Sequence, residues 1–236
     1  MDDRGEPSRG AAVQGMFGSV AARYDLLNSL LSLNLHHWWR GRAAQMCGIG
    51  PNQRVLDICA GTGDFAMTAA QRVGSAGYVV GLDFCAPMLM LGIQKSRRRG
   101  ERVVNFARGD AQQLPFADGS FHHATVGFGI RNVVDIGRAF SEACRVVSPG
   151  GSVCCLEFAP PSGAEGALVR AYEATIVPAI GGLLSRGDAY RYLRDTIRRF
   201  HTPEELKSIM VTSGLTDVRY LRLFPGAVCV HVGRKP

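Results

Sequence analysis

The stretch Arg54-Val-Leu-Asp-Ile-Cys-Ala-Gly-Thr-Gly-Asp-Phe-Ala66 constrains the fold more than any other part of the chain. A short apolar run closed by glycines predicts a buried strand, and the residues after Gly63 fit the start of a helix. Strand, glycine turn and helix in that order open a βα unit. One acid, Asp57, lies inside the strand, four residues before Gly61.

The same rhythm repeats downstream. Strand 54–60 precedes a helix over 63–73, and strand 78–84 precedes a helix over 86–99. Strand 103–108 runs into the turn Gly109-Asp110-Ala111, and strand 122–129 precedes a helix over 135–147. Ser148-Pro-Gly-Gly151 then turns into strand 152–158. Strands separated by helices predict an α/β fold with a parallel sheet. Right-handed crossovers place the C-terminal strand ends along one edge, where ligands bind. Two last strands, 217–224 and 227–234, are separated by Pro225-Gly226, which predicts an antiparallel hairpin.

Two segments depart from the alternation. Residues 160–214 form a mostly helical insert, ending in a helix over 203–213 that Thr202, Pro203 and Glu205 would start as N-cap, N1 and N3. Residues 19–47 are helical with a break at Leu33-Asn34, and carry Leu26, Leu27, Leu30, Leu31, Trp38 and Trp39 at near-helical spacing. They are either a helix pair packed on the core or an apolar lid over a lipophilic substrate. Residues 1–15 are a polar, flexible tail, which leaves 16–236 as a single domain.

Composition narrows the class. No apolar run reaches the ~18 residues that would span a bilayer. The tail lacks the basic start and apolar core of a signal peptide, and its acids argue against a transit peptide, so a cytoplasmic location is expected. The seven cysteines form no CxxC pair, which predicts buried thiols rather than disulfides or a metal site. A net charge of +7 suits nucleic acid, an anionic membrane surface or a charged cofactor alike.

Gly61-Thr-Gly63-Asp-Phe-Ala66 satisfies the dinucleotide fingerprint, and Asp83 follows 20 residues after Gly63, where a ribose-binding acid belongs. Asp57 argues for a different ligand. A pyrophosphate at the helix N-terminus would be repelled by a nearby carboxylate. S-adenosylmethionine has no phosphate and carries an ammonium, a carboxylate and a sulfonium. Asp57 and Asp64 would add negative charge beside its methionyl group, and Asp110 would meet the adenine amino group. The alternative for Asp57 is a structural acid that caps the loop amides.

Asp57 to Gly63, Asp83 and Gly109-Asp110-Ala111 resemble the class I S-adenosylmethionine-dependent methyltransferases. More specifically, the chain resembles the menaquinone/ubiquinone biosynthesis C-methyltransferases. That resemblance is carried by Phe17-Gly-Ser-Val-Ala-Ala-Arg-Tyr-Asp-Leu-Leu-Asn28, Phe128-Gly-Ile-Arg-Asn-Val133, Leu156-Glu-Phe158 and Asp188-Ala-Tyr-Arg-Tyr-Leu-Arg-Asp-Thr-Ile-Arg198. It implies a Rossmann-like sheet of seven strands, mostly parallel, with the last one antiparallel and an N-terminal helical lid. It implies cofactor contacts at Thr62, Asp83, Asp110 and Ala111, beside Gly61, Gly63 and Asp57. The family often has Ser where this chain has Gly127, so a backbone contact there survives and a hydroxyl contact does not. A second departure is Arg186-Gly-Asp188-Ala, where the family often has Asn-Asp.

The implied reaction is C-methylation of a prenylated quinol ring, with demethylmenaquinol as first choice, and without a metal. The methyl donor is already activated, so the protein positions its reactants and helps to move a proton. Arg131, which follows the fourth strand, either stabilises phenolate charge or salt-bridges the loop, and Glu157 would orient it. Tyr24 and Asp25 are candidates to bond the quinol oxygen and accept a proton, or else cap the site. His36 and His37 are weaker base candidates. Arg191, Arg194 and Arg198 share one face of a helix over 189–200, which is either an ordinary amphipathic surface helix or a basic face for anionic headgroups; the second reading gives peripheral contact with the inner face of the membrane. An apolar stretch over 176–184 suits the isoprenoid tail. A nucleic-acid methyltransferase is the rival that would use the basic cluster Lys95, Arg97, Arg98 and Arg99. That cluster closes a helix C-terminus, where cations are favoured anyway, so no nucleic-acid partner is expected. A non-catalytic assembly protein is a further alternative, and a homo-oligomer is compatible with the chain.

Overall fold

The computed structural model describes residues 25, 26, 28–30, 32–160 and 195–236 of the chain. Helix α1 (Leu35–Cys47) leads into β1 (Arg54–Ile58), α2 (Asp64–Val73), β2 (Tyr78–Asp83), α3 (Ala86–Arg99), β3 (Val104–Arg108) and β4 (Phe121–Gly127). A 3-10 turn, Ile130–Asn132, precedes α4 (Ile136–Val146) and β5 (Val147–Phe158), and α5 (Pro203–Thr212), β6 (Thr216–Leu223) and β7 (Val228–Arg234) complete the order. The seven strands form one sheet, ordered β3-β2-β1-β4-β5-β7-β6. Strands β1 to β5 pair in parallel, whereas β7 is antiparallel to both β5 and β6.

Alternation along β1 builds two cores. Val55 faces one side of the sheet, where it joins Trp39 and Ala43 of α1 and Phe65 and Ala69 of α2. Leu56 and Ile58 face the other side and join Phe140 of α4 and Leu206 and Met210 of α5. Successive strand side chains point to opposite faces, so a doubly covered parallel strand must be apolar on both. Asp57 shares the parity of Val55 and is the exception to that rule.

Helix starts and stops follow the local chemistry. Leu33 and Asn34 take left-handed backbone angles (φ 49° and 62°) that break the upstream helical residues from α1, as the sequence predicts. The Thr202 hydroxyl accepts from the Glu205 N–H while the Glu205 carboxylate accepts from the Thr202 N–H, a complete capping box for α5. The Asp135 carboxylate caps α4 by accepting from the Arg138 N–H at 2.8 Å.

Two strands end earlier than the sequence predicts, for one reason. After Ile58 the chain turns off the sheet through Cys59 (φ 55°), and after Gly127 it turns off through Phe128 (φ 59°). A left-handed angle at a non-glycine residue costs on the order of 1–3 kcal/mol and concentrates at functional sites. Strands β1 and β4 are neighbours, so both strained exits open at the same edge. The predicted turn 148–151 is absorbed into β5, where the pairing with β4 slips between Phe121 and His123.

Candidate active site

A cavity opens at that edge, beyond the C-terminal ends of β1, β2 and β4. Asp83, Asp110 and Ala111 line one end, and Gly127, Phe128 and Arg40 line the other, with Gly61 and Thr62 between them. Gly61 and Gly63 both adopt left-handed angles (φ 56° and 80°), which fold the turn back over β1. Gly63 does not line the cavity, and its need for glycine is also steric. A Cβ there would lie 2.7 Å from Cζ of Phe106.

Asp83 is the organising acid. Its Oδ2 accepts the Gly61 N–H and its Oδ1 the Cys85 N–H, each at 2.8 Å. Burial raises its carboxyl pKa, while the backbone donors around it pull the other way. Two carboxylate oxygens offer about four lone-pair sites, so acceptors remain for a ribose diol. Asp110 is exposed at the same end, and its carboxylate accepts from Gln112. Acids predominate and the floor beside them is apolar, with Leu82, Met88 and Ala111. Among the described residues this acid-rich lining fits S-adenosylmethionine and lacks the cluster of cations that a diphosphate would need.

Asp57 requires a correction. It is 1 % exposed and does not line the cavity. Its Oδ2 accepts the Ala66 N–H and its Oδ1 the Thr125 hydroxyl, each at 2.9 Å. Burial pushes its carboxyl up to about 7, against the pull of Thr125 and Arg40. Its work is to cap the first turn of α2 and tie it to β4, beneath the cofactor turn, rather than to meet the ligand.

Gly127 does line the cavity, and packing accounts for the missing side chain. A Cβ there would lie 2.8 Å from Cδ1 of Phe65, whose ring fills the space behind β4. A backbone contact remains available at this position.

Among the proposed catalytic residues, Tyr24 lies outside the described residues, as do the helix positions Arg191 and Arg194 and residues 176–184. Asp25 is engaged: its Oδ1 accepts the Thr62 hydroxyl at 2.6 Å and its Oδ2 pairs with Lys95. Arg131 is not among the cavity-lining residues. Its Nη1 donates to Glu157 and to the Phe128 carbonyl, each at 2.6 Å. The expected partnership with Glu157 is therefore present, in a buried form. His36 is buried against Arg40 rather than open to the cavity, and burial with the neighbouring guanidinium lowers its pKa to about 4.

Two residues of the site carry no sequence signal of that role. Lys95 turns away from the exposed Arg97, Arg98 and Arg99 and reaches the cofactor turn. Its Nζ donates to Thr62 Oγ1 at 3.0 Å and to Asp64 Oδ1 at 2.8 Å. Arg40 enters the cavity wall from α1 beside Asp64. Burial opposes ionisation of Asp64, yet Arg40 and Lys95 hold its carboxyl below the ordinary carboxylate value. All seven cysteines are free thiols. Among the described residues no helix is long and apolar enough to cross a membrane.

Comparison with known proteins agrees with this geometry. A solved S-adenosylmethionine-dependent methyltransferase from Aquifex aeolicus superposes with a TM-score of 0.68 at 16% identity, covering 92% of this chain and 97% of that one. At that identity the likeness concerns the fold. Curated relatives carry the sequence likeness. The demethylmenaquinone methyltransferase of Thermus thermophilus is 43% identical over 94% of this chain and 100% of its own length. The ubiquinone/menaquinone biosynthesis C-methyltransferase UbiE of Geobacter sp. (strain M21) is 40% identical over 96% of this chain and 97% of its own. Residues 5–235 match the ubiE/COQ5 methyltransferase family as a whole. An acid-lined cofactor edge on a seven-stranded sheet, with relatives matched along their full length, places this chain in the ubiE/COQ5 methyltransferase family.

Proposed function

We propose that this protein, as one domain over residues 16–236, methylates a ring carbon of a prenylated quinol, with demethylmenaquinol as the acceptor. The bound donor, S-adenosylmethionine, supplies an electrophilic methyl group. The observation that carries this reading is one cavity lined by Asp83 and Asp110 at its cofactor end and by the Phe128 ring with Arg40 at the other. Behind the cavity-lining Phe128 ring, the Phe158 ring lies 4.9 Å away and the Trp39 ring 6.1 Å away, both tilted against it. Arg40 sits over the Phe128 ring at 5.5 Å and Arg131 over the Phe158 ring at 5.4 Å. A flat ring that gains negative charge as it reacts suits the Phe128 ring with the Arg40 guanidinium beside it.

Arg131 supports the Phe128 side of the cavity by holding the Phe128 carbonyl and Glu157 together. Asp83 and the turn at Gly61 hold the donor, and Gly127 offers a backbone contact beside it. Tyr24 and Asp25 remain the residues proposed to meet the quinol oxygen and take its proton.

The tail of such an acceptor needs apolar surface. Leu33 (65 % exposed), Trp38 (50 %) and Phe224 (67 %) supply it on the described part of the molecule. Trp39 Nε1 donates to the Phe224 carbonyl at 2.8 Å, so the turn after β6 and helix α1 adjoin. These exposed apolar side chains are the basis for proposing that the protein, in the cytoplasm, contacts the inner face of the membrane peripherally.

The deciding experiment is an anaerobic assay with radiolabelled methyl donor and two reduced acceptors, a demethylmenaquinol and a methoxy-benzoquinol. Label in the menaquinol extract is expected. Label in neither lipid extract would sink the proposal, and label in the benzoquinol alone would correct the acceptor.

A further inference from the structure

Arg40 lines the cavity although it is 5 % exposed, and nothing in the motifs of the cofactor turn accounts for it. Its place in the fold is informative. Asp83 and Asp110 follow β2 and β3, toward one edge of the sheet, while Arg40 stands with Gly127 and Phe128 beyond β4. A donor held by its ribose at Asp83 and its adenine at Asp110 has the Arg40 end left for its aminoacyl chain.

The guanidinium is held but not used up. Nη1 contacts His36 Nδ1 at 2.7 Å and donates to the His36 carbonyl at 3.2 Å. At neutral pH His36 is uncharged, because burial and Arg40 lower its pKa to about 4. Its Nδ1 therefore accepts from Arg40, and its Nε2–H faces Ser29 Oγ at 3.3 Å. Nη2 lies 3.7 Å from Asp64 Oδ2, which is too long for a hydrogen bond. The other Asp64 oxygen is taken by Lys95, so Asp64 gives Arg40 a nearby charge rather than a saturated partner. The rest of the planar fork, which matches a carboxylate by two parallel N–H bonds, stays available at the cavity wall.

We infer that Arg40 receives the carboxylate of the donor's aminoacyl group, with His36 and Asp64 fixing the guanidinium as positioning residues. The inference rests on S-adenosylmethionine being the donor. It makes α1 part of the cofactor site, so that this helix both carries the apolar face with Trp38 and senses whether the donor is bound.

The competing role for Arg40 is purely architectural: counter-ion to Asp64 and cation over Phe128. Calorimetric titration of the full chain with S-adenosylmethionine and with its decarboxylated analogue separates the two. The unmodified protein is expected to prefer the carboxylate-bearing ligand by roughly ten- to a hundredfold, the range for hydrogen bonds to a charged group. Arg40→Met should weaken S-adenosylmethionine by that factor and leave the decarboxylated analogue unchanged. Arg40→Lys should restore part of the difference. Equal binding of the two ligands by the unmodified protein overturns the inference, and that measurement needs no variant to fold. Equal weakening of both by Arg40→Met overturns it as well and leaves Arg40 architectural. If neither ligand binds the unmodified protein, the donor assignment falls and takes the inference with it.

Discussion

Arg131 and Glu157 meet at 2.6 Å with their side chains 6 % and 1 % exposed, so one of the closest ion pairs in the fold is also among its most buried. The pair joins the loop after β4 to the end of β5. Arg131 Nε has no partner among the described residues, which leaves the guanidinium dependent on Glu157 and the Phe128 carbonyl. Removing one member of a buried pair strands the other and costs about 3–5 kcal/mol, whereas removing both can be close to neutral. Glu157→Leu should therefore destabilise the protein strongly in urea unfolding, and adding Arg131→Met should recover at least about 2 kcal/mol of that loss. Methyl transfer by the double variant would confine the pair to architecture. A stable double variant that binds donor without turnover would place Arg131 in the chemistry.

Asp83→Asn tests the cofactor end. The amide keeps the shape, but one of its two positions becomes a donor facing either the Gly61 or the Cys85 N–H. Donor affinity should fall roughly ten- to a hundredfold by calorimetry, since hydrogen bonds to a charged acceptor contribute about 1.5–3 kcal/mol. Unchanged affinity would remove Asp83 from the binding contacts.

Asp57 predicts a pH dependence of stability. Burial raises its folded pKa from 3.8 to about 7. Between those values the folded protein holds a proton that the unfolded chain releases. Its stabilising contribution is complete at low pH and is lost as pH rises toward 7, by roughly 4 kcal/mol in all. His36 and His231 act in the opposite sense: burial lowers each to about 4, so their contribution is lost as pH falls below 6.5. Asp57→Asn should fold, because its carbonyl can accept from Ala66 and its amide can donate to the Thr125 hydroxyl. Stability of the unmodified protein minus that of the variant, from urea unfolding at pH 4.5 to 7.5, should decline with pH. The histidines cancel in that difference, and a flat line would contradict the assignment.

Cys59 and Gly129 are a steric pair across the two strained exits. A Cβ at Gly129 would sit 2.4 Å from the Cβ of Cys59. Gly129→Ala should cost about 1–3 kcal/mol, as overpacking does. Cys59→Gly removes the opposing atom and suits the φ of 55° at that position. The double variant should then be more stable than the sum of the single effects, measurable as a coupling energy in a double-mutant cycle. Strict additivity would show that the loop yields instead.

Much of this fold was legible because apolar strands and helical spacing alternate, and Ala86–Arg99 falls where its residues predict a helix. The carboxylates were legible as a set but not by role. Asp57 and Asp83 both look like acids at a ligand edge. They part because Asp57 sits mid-strand opposite Thr125, while Asp83 ends its strand where two amides converge. Lys95 resembles its neighbours Arg97 to Arg99 in sequence, and its different work depends on the rotation of α3 against the cofactor turn. Arg40 gave no signal because its partners, His36 on one side and Asp64 on the other, come together only when α1 packs against α2.

Strand β7 follows β6 in the chain but lies between β5 and β6 in the sheet. Strand β6 therefore has no edge to join until β7 exists. During synthesis on the ribosome, the five parallel strands can assemble in order while β6 waits, its pairing groups open to water or to a chaperone. Insertion of β7 closes the sheet and brings the Phe224 turn against Trp39 in the same event. The contact between the Phe224 turn and Trp39 is thus completed late, after the strands that carry the cofactor edge.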